Sequence, residues 1–160
     1  MSYNVVIQSD KYVGTTSTTP SRQYAFDWTP FEEGAYELTF SMIAQRQDDT
    51  ANISLYNDII VELPDIGAQF QSFNAGTKIA SQSSNIIGHT VSNTSVVDVT
   101  NGPAQSCYSC GRGDNAPIKI LSKPSSNIFT VRLFNLNAFG VLAPTTNVTG
   151  YVLILNFKRC

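Results

Sequence analysis

The sequence predicts an all-β protein, a single domain spanning 1–160 built as a β-sandwich or jelly roll of about eight antiparallel strands. Two observations carry this. Apolar and polar residues alternate with a period of two in several segments, the signature of a half-buried strand. Turn residues separate those segments, and no stretch combines a helical period with helix caps.

The elements follow in chain order. Val5 to Ile7 opens as a short strand. Tyr24, Phe26 and Trp28 alternate with Gln23, Ala25 and Asp27, and Thr29-Pro30-Phe31-Glu32-Glu33-Gly34 forms a tight connection. Tyr36, Leu38, Phe40 and Met42 then face one way, with Glu37, Thr39 and Ser41 facing the other. The aromatics Tyr24, Phe26, Trp28, Tyr36 and Phe40 are read as core, and Glu32 and Glu33 as solvated charges at the corner. Ala51–Tyr56 and Ile59–Leu63 are expected as a hairpin about Asn57-Asp58, and Gly67–Phe73 as a short helical turn. Ser81–Gln105, rich in Ser, Asn and Thr, reads as a long loop with one or two short strands. Pro117–Leu121, Asn127–Leu136 and Tyr151–Phe157 complete the set, the last as a near-continuous apolar run.

Composition narrows the function. Of 160 residues, 42% are hydrophobic and only 14% charged, so uncharged polar residues must cover much of the surface. Lys and Arg total 10 against 12 Asp and Glu, which supplies no basic field for nucleic acid. No stretch is long and apolar enough to span a membrane, and the N-terminus carries no signal-peptide pattern, so the chain is expected in a cytosol or in something assembled there.

Candidate chemistry is sparse. His89 is the single histidine, set in a polar stretch without a GxSxG elbow or a triad pattern. Glu32-Glu33 and Asp48-Asp49 are adjacent acids, which a strand would point to opposite faces. No catalytic residue and no cofactor is therefore assigned. Cys107-Tyr108-Ser109-Cys110 leaves three readings open: free thiols in a reducing cytosol, a disulfide formed in oxidising surroundings, or a Cys3His zinc site completed by Cys160 and His89. Cys160 is also a candidate for a thiol link between chains. Arg112-Gly113-Asp114 offers a cation and a carboxylate across a flexible glycine, a candidate receptor motif on a loop. The sequons at Asn52, Asn93 and Asn147 are expected from composition alone.

Tyr24-Ala25-Phe26-Asp27-Trp28 followed by Phe31-Glu32-Glu33-Gly34-Ala35-Tyr36-Glu37-Leu38-Thr39-Phe40 resembles the core of small jelly-roll capsid proteins of large nucleocytoplasmic DNA viruses, those of algae and protists above all. Tyr3–Ser9 is similar to their first strand, and Asn127–Leu133 and Tyr151–Phe157 to their last two. The stretch Gly67–Asn115 has no counterpart in the resemblance. The resemblance implies a minor capsid or penton-type protein in the virion shell, assembled in host cytoplasm. It would bind the major capsid protein, other minor capsid proteins and its own copies, as a trimer or pentamer, and catalyse nothing. Ser81–Gln105 and Thr29–Gly34 are the surfaces expected to meet neighbours. The alternatives are a receptor- or carbohydrate-binding β-domain such as a fibre head or lectin-like module, a jelly-roll hydrolase, and a tumour-necrosis-factor-like or C1q-like trimer. A buried Trp28 would remove the best sugar platform.

Overall fold

A computed structural model describes residues 1–13, 21–48, 58–66, 85–97, 104–136, 142–145 and 148–160. They form ten strands: β1 (Ser2–Gln8), β2 (Ser21–Ala25), β3 (Tyr36–Asp48), β4 (Asp58–Glu62), β5 (Ile86–Val97), β6 (Ala104–Cys110), β7 (Ile118–Ile120), β8 (Ile128–Leu136), β9 (Leu142–Pro144) and β10 (Val148–Arg159). Every pairing is antiparallel.

The hydrogen-bonded order runs β1-β10-β3-β6-β5-β4-β8-β2. It splits into two sheets, β1-β10-β3-β6 and β2-β8-β4-β5, joined where β5 meets β6. The chain crosses from one sheet to the other as it proceeds, which is the jelly-roll arrangement. β6 and β7 are two pieces of one strand, since both pair with β3. β9 is a three-residue rung on β8. Eight strands therefore carry the sandwich. No helix among the described residues is long and apolar enough to cross a membrane.

The core lies between the sheets. In β3, Tyr36, Leu38, Phe40, Met42 and Ala44 are buried; in β10, Tyr151, Leu153, Leu155 and Phe157 are. β8 contributes Phe129, Val131 and Leu133, and β4 contributes Ile59 and Val61. Burying each such large side chain stabilises the fold by about 1.5–3 kcal/mol. The hydroxyls of Tyr24 and Tyr151 meet inside this core at 2.7 Å, so neither polar tip is stranded.

Several expectations need correction. The strand carrying Tyr24 stops at Ala25; Phe26–Trp28 lie beyond it and enter the corner. Much of Ser81–Gln105 is strand, because β5 finds partners on both sides, in β4 and β6, that a local reading cannot supply. His89 accordingly sits on a strand rather than a loop. β10 is not buried on both faces: Val152 is exposed and Ile154 half-buried, so its apolar run serves two surfaces. The hairpin partner expected at 51–56 and the helical turn expected at 67–73 lie outside the described residues, as do Asn52, Asn147 and Asp49. Both edges of β4 are taken, by β5 and β8.

Candidate functional site

The corner at 29–34 begins with an aromatic plug. Trp28 and Phe31 are buried, with ring centroids 5.0 Å apart. Phe31 stacks on Tyr3 at 4.2 Å and meets Phe157 edge-on at 5.3 Å. The indole N–H of Trp28 donates to the Ser126 carbonyl at 3.0 Å. Trp28 is only 2% exposed, which leaves it unable to serve as a sugar platform. Phe26 is half-buried against the same cluster, while Tyr24, Tyr36 and Phe40 are fully inside.

Polar groups lock the corner from outside. Glu32 pairs with Arg159, whose guanidinium also donates to the Glu33 carbonyl at 3.1 Å. Lys123 pairs with Glu33 at 2.8 Å and donates to the Phe31 carbonyl at 3.1 Å. The Cys160 N–H donates to the Ala35 carbonyl at 3.1 Å. Gly34 has φ +138°, a value side chains resist, which lets the chain turn back into β3. Glu32 and Glu33 thus remain hydrated yet partnered. The Tyr36 hydroxyl donates to the Glu32 carbonyl, and burial raises its pKa. A hydrogen bond from Thr29 lowers that of Asp27.

Residues 111–117 leave the line of β6 and β7 as an arch opposite Thr39–Ser41. Arg112, Gly113 and Asp114 are exposed on it. The Asp114 carboxylate bends back to accept the Gly111 N–H, and the Arg112 guanidinium lies 3.4 Å from the Asn4 side-chain oxygen of β1. Asn115 anchors the arch: its amide accepts from the His89 N–H and donates to the His89 carbonyl, both at 2.9 Å, as a strand neighbour would. Gly88 makes room for it, since a Cβ there would fall 2.3 Å from the Asn115 oxygen. The His89 backbone is therefore occupied structurally, while its ring is exposed on β5.

The cysteines need a correction. Cys107 and Cys110 lie on β6, not on a loop, three residues apart and on opposite faces. Strand geometry separates their Cα atoms by about 10 Å, beyond the roughly 7 Å a disulfide spans. All three cysteines are free thiols, with Cys110 buried, Cys107 half-buried and Cys160 exposed. Burial pushes the Cys110 thiol pKa up. Among the described residues no three His, Cys, Asp or Glu side chains gather as metal ligands, so the Cys3His set is not assembled.

The feature that sequence reading missed is the outer face of the β1-β10-β3-β6 sheet, continued onto β5 where it joins β6. Register places Gln8, Val152, Ile43, Ser109 and Val91 in one row, and Val6, Ile154 and Ser41 in the next. Ile43 is 61% exposed, Val6 59%, Val91 53% and Val152 39%. Asp58 of β4 stands opposite Val91 at the end of the first row, and no other charged side chain stands in either row. Arg112 reaches the Asn4 side chain in the row beyond Val6, and Lys158, Glu37 and Lys119 stand in the row after that. Beside Ile43 and Val152 lies a shallow depression of about 380 Å³, also lined by Gln8, Asp10 and Gln45. A contiguous apolar patch of this kind is what interaction surfaces present. The signal available in the sequence was Val5-Val6-Ile7 and Tyr151–Leu155, where apolar residues occupy both strand faces.

No family model and no curated protein matches this chain. Among solved structures, it is similar to the crystal structure of the selenomethionine-labelled penton protein of mavirus, with 15% identity and a TM-score of 0.42. The likeness covers 66% of this chain and 36% of that one, so the chain spans about a third of the length of the protein it matches.

Proposed function

We propose that this chain is a non-enzymatic virion structural protein, a minor capsid or penton-type component that packs against a major capsid protein and its own copies. The observation that carries the reading is the outer sheet face on which Val6, Ile43, Val91 and Val152 are exposed together. A monomer that never meets a neighbour gains nothing from such a face, whereas a shell component buries it. The jelly-roll frame and the resemblance of its first, third and last strands to small viral capsid proteins support the same role. Host-cytoplasm assembly and a trimeric or pentameric ring belong to this proposal. An interchain link through Cys160 also fits it, because that thiol is exposed.

One observation favours a second reading, as a receptor-binding domain: Arg112, Gly113 and Asp114 are exposed. It ranks below the first, because the Asp114 carboxylate is already engaged by the Gly111 N–H.

Co-expression with a jelly-roll major capsid protein of an algal or protist DNA virus tests the proposal. Assembled particles sedimented through a gradient should carry this chain in fixed ratio. Its absence from those particles, combined with binding of the isolated protein to immobilised cell-surface glycans or receptors, would transfer the assignment to the receptor reading.

A further inference from the structure

β1 and β2 end the strand order, and their free edges differ. β2 carries Arg22, and the Val13 N–H donates to its Gln23 carbonyl at 2.7 Å, which covers part of that edge. β1 reads Ser-Tyr-Asn-Val-Val-Ile-Gln: no charge, no proline, no glycine, and unbroken register with β10. Charges, prolines and bulges are the devices by which edge strands of monomers avoid pairing, and β1 has none of them.

Hydrogen-bond geometry identifies the unsatisfied groups. The Ser9 N–H donates to the Tyr151 carbonyl at 3.0 Å, and the Arg159 N–H to the Met1 carbonyl at 3.1 Å. Antiparallel pairing alternates residues that face the neighbour with residues that face away. The odd-numbered residues of β1 thus bond β10, and Asn4 and Val6 direct both N–H and C=O outward. No described residue bonds them there. The Gln8 carbonyl is the exception along this edge, because it accepts the Lys11 N–H at 3.0 Å.

We propose that β1 pairs antiparallel with β1 of a second copy about a two-fold axis, in the register centred on Val5. That register overlaps the whole strand. Asn4 of each copy meets Val6 of the other as a hydrogen-bonded pair, so each free N–H reaches a free C=O. The strand is its own complement, which is what a two-fold contact requires. The exposed Val6 side chains fall on one face, diagonal to each other, and bring the apolar rows of the two outer faces side by side. The Ser2-Lys158 row of one copy aligns with the Gln8-Val152 row of the other, so no like charges are opposed. A second copy is favoured over a foreign strand because it supplies an equally bare edge with matching free groups. This contact does not depend on the shell role: alone it gives a dimer, and with rotational contacts it joins two rings.

Light scattering on the purified protein should give an even multiple of the 17.5 kDa protomer. Val6→Lys, placed on an exposed side chain, should halve that mass and leave the melting temperature of dilute, dissociated protein unchanged. Amide hydrogen exchange reads the same edge without a substitution: Asn4 and Val6 should be protected in concentrated protein and exchange freely on dilution. A monomer in concentrated solution, or free exchange at both amides there, overturns the contact. So does a trimer or pentamer whose mass Val6→Lys leaves unchanged, and that outcome leaves the shell reading standing.

Discussion

The corner at 29–34 and the edge strand β1 touch through the stacked rings of Phe31 and Tyr3, yet they treat polar groups in opposite ways. At the corner, Glu32, Glu33 and the carbonyls of Phe31, Glu32 and Glu33 all find partners in Arg159, Lys123 and Tyr36. Along β1, the backbone groups of Asn4 and Val6 find no partner among the described residues, beside a largely apolar face. The charged, conspicuous region is satisfied from within the chain. The bland one is where valence remains. A neighbour gains more from the second, because unpaired backbone groups and exposed valines both improve when covered.

The largest effect that would sharpen this contrast is expected at Trp28. Its ring lies 4.5 Å from Phe26, 5.0 Å from Phe31, 5.5 Å from Phe157 and 5.9 Å from Phe129, centroid to centroid. Trp28→Ala should cost about 3–5 kcal/mol of stability, read from chemical denaturation midpoints. Val6→Lys, by contrast, should stay within roughly 0.5 kcal/mol for the isolated protomer. Equal losses at the two positions would break the comparison, since β1 would then be acting as core.

An intermediate effect is expected at alkaline pH. Burial raises the pKa of both Tyr24 and Tyr151 above 10.0, with Tyr151 further raised by its Tyr24 neighbour. The folded state holds these protons more tightly than the unfolded state. Their contribution is therefore complete below the ordinary tyrosine value and is lost as pH climbs past about 10. Denaturation midpoints should be flat from about pH 8 to 9.5 and then fall, and the double change Tyr24→Phe with Tyr151→Phe should flatten that fall. An alkaline slope unaltered by the double change would mean that other groups carry it.

Strand alternation made the frame legible. Tyr36–Met42 and Asn127–Leu133 announce which side faces inward, and β3 and β8 obey. β5 was not legible, because Ser92-Asn93-Thr94-Ser95 has the composition of a loop. It becomes strand through pairing with β4 and β6 and through the Asn115 clamp on His89, all distant in sequence. The spacing of Cys107 and Cys110 left three readings open for a related reason: two intervening residues suit a turn, but on a strand they force opposite faces, which leaves the thiols free. The Tyr24–Tyr151 pair, 127 residues apart, leaves no local trace. The free edge of β1 was hidden too, since a strand's edge is exposed only by virtue of which strands do not come next to it. Sequence can show that Ser2–Gln8 lacks protective charges; only topology shows that it needs them.

The smallest expected effect tests whether the corner's charges matter at all. Glu33 is 77% exposed and its partner Lys123 is 24% exposed, so water screens much of their attraction. Glu33→Ala should cost about 0–1 kcal/mol. Lys123→Ala should cost more than Glu33→Ala, because the ammonium also holds the Phe31 carbonyl and loses that bond as well. Denaturation of the two single variants and the double variant separates the ion pair from the carbonyl bond. If Glu33→Ala proved the costlier of the two, the corner would depend on its surface charge rather than on backbone groups closed from within. The contrast with β1 would then rest on charge instead of on hydrogen-bond satisfaction.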